Sequence, residues 1–452
     1  MKFEFGSLGP IEHGEVDLGK LTVFCGKNNT GKTYVSYLIY GFNYYLSRAI
    51  EKEYLLEQLY EISEDELTIN LGELYQNKDR IIGNLIEKYM KCIPNFFKVN
   101  KEFFDGFQLK VSAEEKIDDE RNSEIKEWII DLLNQRKEVE NIYEEGKNIK
   151  GRFTKNVNAM QKDRIIFVAI LFAVYVEQFS EAFIPAYMLP AERNGLSMFY
   201  KELNVNRNNV LFDLSGQDGI ETIEKNIAKY PLPISEYINL LNSMDNIETN
   251  DISYANMAAT LEDCIVKGKF DIEKNGNIRF IMDEDLKLDF HLSSSTAKSL
   301  FGLDYLLRNK LKKGCILIID EPEQNLHPDN QRYIARLLCK LANAGVNVII
   351  STHSDYIVRE INNLIILANR FKGYEKLMKE YGYEEEELIA KENVKGYIFQ
   401  EHMIDEVEVD GEGMKMDVFD QVINKMNEAS DDIYYTYREV CDDDEQDSDR
   451  EI

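Results

Sequence analysis

Gly26, Lys27, Asn28, Asn29, Thr30, Gly31, Lys32 and Thr33 run consecutively, so two glycines bracket four residues and a lysine–threonine pair closes the spacing. That pattern suits holding a polyphosphate together with its metal. The glycines let the backbone turn tightly and bring N–H groups onto phosphate oxygens, while a helix opening at Lys32 points its positive dipole end at the same anion. Lys32 would bridge the β- and γ-phosphates of ATP, and the Thr33 hydroxyl would ligate Mg²⁺. Chance alone produces the spacing in roughly a few per cent of chains this long. Far fewer also set it between an apolar, β-rich run (LTVFC) and an amphipathic stretch.

A second constellation is ILIIDEPEQNLHP, Ile316 to Pro328. An apolar strand ending in two carboxylates is what a Mg²⁺-dependent ATPase needs: Asp320 to hold the metal and Glu321 to polarise the attacking water. A third is VIISTHSDYI, where His353 stands just past a strand end and can reach a γ-phosphate. Ser293, Ser294 and Ser295 open a helical stretch, where hydroxyls and free N–H groups either bind a phosphate or cap the helix.

In this order the pieces resemble the Walker A motif (GKNNTGKT), the Walker B motif (ILIIDE) and the switch histidine (STHS) of ABC-type ATPases of the SMC, RecF and OLD branch. DEPEQNLHP and the opening FGSLGPIEHGEVDLGKLTVFCGKNNTGKT are similar to the same branch. The resemblance implies a P-loop NTPase, α/β, with an ABC-type head interrupted by a helical lobe. It also implies ATP and Mg²⁺ as ligands: Lys32 and Thr33 on phosphate and metal, Asp320 on the metal, Glu321 on the lytic water, His353 on the γ-phosphate. LSSSTAKSL occupies the place of the signature motif, whose serines contact nucleotide held by a second subunit, although no glycine follows them here. LPAERNGL resembles a loop of the branch, so Arg193 is expected to sense nucleotide or the dimer interface, or to make a surface salt bridge.

The resemblance further implies a homo-oligomer, at least a dimer, that hydrolyses ATP between head-to-head subunits. Stand-alone ATPases of this length are similar to components of bacterial anti-phage systems such as the Septu ATPase and retron-associated ATPases, which gate a separate nuclease or toxin. Two other readings stay open: a nucleotide-binding scaffold with little turnover, and a DNA-repair ATPase of the RecF kind. OLD proteins append a metal-dependent nuclease domain after the switch histidine. Its strand-borne DxD has no counterpart here, because Asp442 to Asp444 follow no apolar strand, so no intrinsic nuclease is expected.

These residues need elements to carry them. Alternating segments KFEF and LTVF, split by Gly6, Gly9, Pro10 and Gly14, predict a hairpin feeding the first buried strand. Residues 1–45 then form the first part of the head and 46–180 a helical insertion, read from Glu/Lys-rich amphipathic stretches such as EIKEWIIDLLNQRKEVENIYEE. Residues 181–370 complete the head. They open on the strand-like AFIPAYMLP, pass through a mainly helical stretch, and reach short strands over Lys269 to Phe290. The strands CILIID and VNVIIST, joined by a helix after Pro328, should lie parallel to the Walker A strand. Residues 371–440 are expected as a helical extension with one strand-like segment, GYIFQ, and 441–452 as an acidic disordered tail.

A formal net charge of −29 over 452 residues repels a phosphate backbone over most of the surface. DNA contact is therefore expected to be weak unless a basic strip such as KNIKGRFTK serves it. Six cysteines with no CxxC predict reduced, packed thiols in a cytoplasmic protein. Ile165 to Val176 is too short to span a bilayer and reads as a buried helix, so no membrane partner is expected. His13, His291, His327 and His402 have no metal-ligand spacing.

Overall fold

The computed structural model describes residues 1–49, 60–63, 66–112, 137–145, 148–154, 185–213, 230–244, 252–273, 276–283, 286–416 and 424–438, with a few isolated positions between 127 and 162. Strands β1 (Lys2–Leu8) and β2 (Ile11–Asp17) form the expected hairpin about Gly9 and Pro10. Strand β3 (Leu21–Gly26) leads through the glycine loop into helix α1 (Lys32–Ala49).

The next elements correct the expectation of an all-helical insertion. Strands β4 (Tyr60–Ser63) and β5 (Glu66–Asn70) precede the long helix α2 (Leu71–Phe97). Then come β6 (Gln108–Ser112), β7 (Val139–Glu145) and β8 (Asn148–Phe153). Strands β4, β5, β8 and β7 make an antiparallel sheet, and β6 joins β1 in the main sheet. The period of two is present in the sequence. Leu67 and Ile69 are buried on one strand with Thr68 between them, and Ile149 and Phe153 on another with Lys150 and Arg152 between them. The Glu/Lys-rich composition resembles that of exposed helices and hides this alternation.

Helix α2 docks directly on α1. The Tyr89 hydroxyl donates to the Leu38 carbonyl at 2.6 Å. Gly41 permits the approach, since a Cβ there would lie 2.8 Å from that hydroxyl oxygen. Tyr34, one residue past Thr33, stacks on Phe97 with ring centroids 5.8 Å apart.

After β9 (Ala186–Leu189) come helices α3 (Arg193–Asp213), α4 (Leu232–Asn242) and α5 (Ile252–Leu261), as the helical reading of this stretch predicts. A small antiparallel sheet, β10 (Lys269–Ile272), β11 (Ile278–Asp283) and β12 (Leu286–Asp289), follows. Next are α6 (Ser295–Asn309), β13 (Ile316–Asp320), α7 (Pro328–Asn343), β14 (Asn347–Thr352), α8 (Asp355–Ala368) and α9 (Tyr374–Tyr381).

The C-terminal stretch gives a second correction. Strands β15 (Val394–Gln400) and β16 (Met403–Val407) are part of the head: β15 pairs in parallel with β3, so residues beyond 370 complete the main sheet rather than extend it with helices. Residues 424–438 are helical, as expected of that segment. The apolar run Ile165–Val176 and the acidic tail lie outside the described residues.

The main sheet has the order β6-β1-β2-β16-β15-β3-β14-β13-β9. From β15 to β9 the strands are parallel, as expected for the Walker strands. Parallel strands covered on both faces read as continuous apolar runs. β13 does so: Ile316 and Ile318 join the core on the α1 side, Leu317 and Ile319 the core on the α6, α7 and α8 side. Cys25, Cys315 and Cys339 are packed thiols in this interior. No described helix is long and apolar enough to cross a membrane.

Candidate functional site

The carboxyl ends of β3, β14 and β13 lie side by side, and the predicted residues gather there. Both loop glycines are required by their surroundings. Gly26 has φ 143° and Gly31 φ 103°. A Cβ on Gly26 would sit 2.4 Å from the Phe399 carbonyl oxygen of β15, and one on Gly31 would sit 2.7 Å from the Ile11 side chain at the start of β2. Asn29 turns the loop with φ 63° and the Thr30 hydroxyl donates to the Lys27 carbonyl at 2.9 Å. Lys32 is buried, and its ammonium donates to the carbonyls of Gly26 (3.0 Å) and Lys27 (2.8 Å). Burial pushes its pKa down, while the Asp320 carboxylate opposes the shift. At the first turn of α1 the Thr33 hydroxyl donates to Asp320 Oδ2 at 2.9 Å.

Asp320 closes β13 opposite Ser351 of β14, whose hydroxyl donates to its other carboxylate oxygen. The hydroxyl and carboxylate are hard oxygen ligands, which suits Mg²⁺ bound beside phosphates. The turned loop, Lys32 and the α1 N-terminus suit the phosphates. Glu321 leaves the strand with φ 51°, although a residue before proline favours extended backbone. Such a conformation costs on the order of 1–3 kcal/mol and persists only when its surroundings hold it. Part of that hold is the bond from its N–H to the Ser351 carbonyl at 3.0 Å. His353 Nε2 stands 4.0 Å from Glu321 Oε1, with both side chains partly exposed. Burial holds the imidazole pKa below its ordinary value, and Lys32 pushes the same way against Asp320 and a hydrogen bond with the Gly26 backbone.

A family model described as an AAA ATPase domain matches residues 8–358. The chain belongs to the AAA ATPase domain family. Membership supports a nucleotide-binding ATPase of P-loop fold in general. No curated protein matches the chain. Among solved structures this AAA ATPase domain is similar to an Smc head bound to the C-winged helix domain of ScpA, with TM-score 0.35, 12% identity, and coverage of 90% of this chain and 96% of that one. It is also similar to the SMC head domain from Thermotoga maritima (0.32, 10%, 90% and 98%) and to the recombination mediator protein RecF (0.30, 12%, 90% and 97%).

Not every expected residue of the domain faces this site. Ser293 is buried and its hydroxyl donates to the Phe290 carbonyl at 2.7 Å. Ser294 caps α6, accepting from the Ala297 N–H at 3.1 Å, and remains exposed with Ser295. Arg193 is 1% exposed, so it neither forms a surface salt bridge nor faces an open interface. In the strip proposed for DNA, Lys150 pairs with Glu145 and Arg152 lies 3.3 Å from Glu66, which leaves neither as an unopposed cation.

Glu323 escapes a sequence reading altogether. Its carboxylate accepts from the Thr352 hydroxyl at 2.9 Å and from the His353 N–H at 2.6 Å, so it fixes the backbone that carries the histidine. Its only signal is its place two residues beyond Glu321 in DEPE, among carboxylates that commonly begin a loop.

Proposed function

We propose that the protein is a Mg²⁺-dependent ATPase whose heads pair across bound ATP, and that this nucleotide state gates a separate effector, a nuclease or toxin, in bacterial anti-phage defence. The observation that carries the hydrolytic part is the cluster at the strand ends: Glu321 and His353 4.0 Å apart, beside a Thr33 hydroxyl and an Asp320 carboxylate in direct contact. Open α/β sheets bind ligands at this edge.

In this reading Thr33 and Asp320 would hold Mg²⁺, which would supply charge neutralisation for the phosphates. Glu321 accepts a proton from water as its oxygen attacks the γ-phosphorus. The bond to the β-phosphate bridging oxygen breaks, and ADP leaves with that electron pair. Lys32 balances the phosphate charge, and the His353 ring hydrogen-bonds a γ-phosphate oxygen. Ser294 and Ser295, exposed at the positive end of α6, are available to the γ-phosphate held by a second copy. The gating role rests on the likeness in size and motif wording to defence ATPases.

The test is ATP turnover by wild type and by Glu321→Gln, read with the mass of each in Mg·ATP. The variant keeps the metal site and removes the base, so turnover should fall at least about a hundredfold, and the variant should accumulate as a nucleotide-loaded assembly larger than a monomer. No turnover and no change of mass in either protein would leave a static nucleotide-binding scaffold. Tight, salt-dependent DNA binding by the isolated protein would favour a repair ATPase instead.

A further inference from the structure

Arg193 sits at the start of α3 with its guanidinium inside the head, and among the described residues every hydrogen-bond acceptor it reaches is a backbone carbonyl. Nε donates to Ser299 O at 3.1 Å and Nη1 to Pro190 O at 3.1 Å. Nη1 also donates to Asp320 O at 2.6 Å, and Nη2 to Glu321 O at 2.6 Å. A buried cation normally faces a carboxylate. Here the shortest bonds go to the peptide groups on either side of the bend at which Glu321 leaves β13.

That bend is the strained one, with φ 51° before Pro322. The Glu321 N–H is held by Ser351 O, and the carbonyls of residues 320 and 321 are held by Arg193. Together they fix the direction in which the Glu321 side chain leaves the chain. The fourth partner lies on α6, and α6 has a second tie to the same loop. Asn325 donates to the Ser299 hydroxyl at 2.9 Å, and the Thr296 hydroxyl donates to Asn325 O at 2.8 Å. The helix that begins at Ser294 and Ser295 is therefore pinned, through one guanidinium, to the backbone of the hydrolytic carboxylate.

We propose that Arg193 is a positioning residue: it holds the 320–321 backbone in the bend that aims the Glu321 carboxylate, and it couples that bend to the N-terminal turns of α6. The inference rests on the hydrolytic reading above and adds a residue to it. A planar fork with five donors can serve four carbonyls on three elements, and a single ammonium cannot. A misplacement of about 1 Å at a reacting group costs about a hundredfold in rate, while the phosphate-binding loop is untouched.

The experiment compares wild type, Arg193→Lys, Glu321→Gln and the double variant, with thermal melting and amide exchange measured alongside steady-state ATP turnover. Arg193→Lys should keep KM for ATP within about twofold and lose about a hundredfold in kcat. Exchange should rise at residues 321–324 and not at 26–33. In the Glu321→Gln background the same change should cause no further loss, because both act through one carboxylate. A kcat within about twofold of wild type, or a kcat loss that is fully additive with Glu321→Gln, overturns the proposal. Should the lysine variant not fold, Arg193→Gln is measured in its place. If neither folds, Arg193 is a stability residue only and the proposal falls. An inactive wild type would overturn the hydrolytic reading itself, whereas an active wild type with an unaffected variant overturns this inference alone.

Discussion

Glu323 controls a histidine whose ring it does not touch. Its two oxygens accept from the Thr352 hydroxyl and the His353 N–H, so removing the carboxylate leaves two donors without an acceptor at the end of β14. Burial pushes its pKa up, and those same bonds pull it back. Glu323→Ala should cost about 2 kcal/mol in a urea unfolding titration and lower kcat for ATP more than it raises KM, because the His353 backbone is freed while Lys32 and Thr33 stay in place. An unchanged kcat would refute the link to His353. The residues that gather at the strand ends were legible from type and spacing: Gly26, Gly31, Lys32 and Thr33 form a local motif, and Asp320, Glu321 and His353 each follow an apolar run. The roles of the supporting residues were not. Glu323 and Ser351 acquire theirs only when β13 and β14 lie side by side, which no local spacing records, and Arg193, singled out by resemblance to a loop, is held instead by four backbone carbonyls.

At the scale of the element, α6 shows how a helix can be tied at both ends. Its N-terminal turns hold Arg193 and Asn325, and further along Arg308 bridges two acids, donating to both Asp304 oxygens at 3.2 Å and to Glu262 at 2.7 Å. Burial outweighs the Arg308 contact and pushes the Asp304 pKa from 3.8 up to about 7. The sign follows from proton counts: between those values the folded state holds a proton that the unfolded state has lost, so stability is full below 3.8 and falls as pH rises through about 7. Asp304→Asn should flatten this dependence by up to about 1.4 kcal/mol per pH unit, as read from urea midpoints at about pH 5 and about pH 7.5. Equal slopes in the two proteins would show that Asp304 stays ionised against Arg308. The elements themselves were legible in uneven measure. β13 and β14 are buried on both faces and announce themselves as apolar runs, whereas β7 and β8 carry Glu, Lys and Arg on one face and so resemble exposed helix.

For the molecule as a whole, the head is assembled from distant parts of the chain, and β15 closes it. β15 lies between β3 and β16, packs Tyr397 and Phe399 against Phe24, and brings the Phe399 carbonyl to the place only a glycine at 26 can leave free. The glycine loop is thus shaped in part by Phe399, 373 positions beyond Gly26. Residues 424–438 contrast with this: Met426 is 65% exposed, Ile433 72% and Tyr437 66%, so that helix gives little to the core. A chain ending at Met416 should therefore melt within a few degrees of the full chain and keep its ATP turnover. A chain ending at Asn393 should yield no cooperative unfolding transition, because β3 would lose its parallel neighbour and Phe24 much of its packing. Calorimetry on the two truncations checks both outcomes. A cooperative transition in the shorter chain would mean that β15 is an accessory strand, and that the Gly26 loop takes its shape without it.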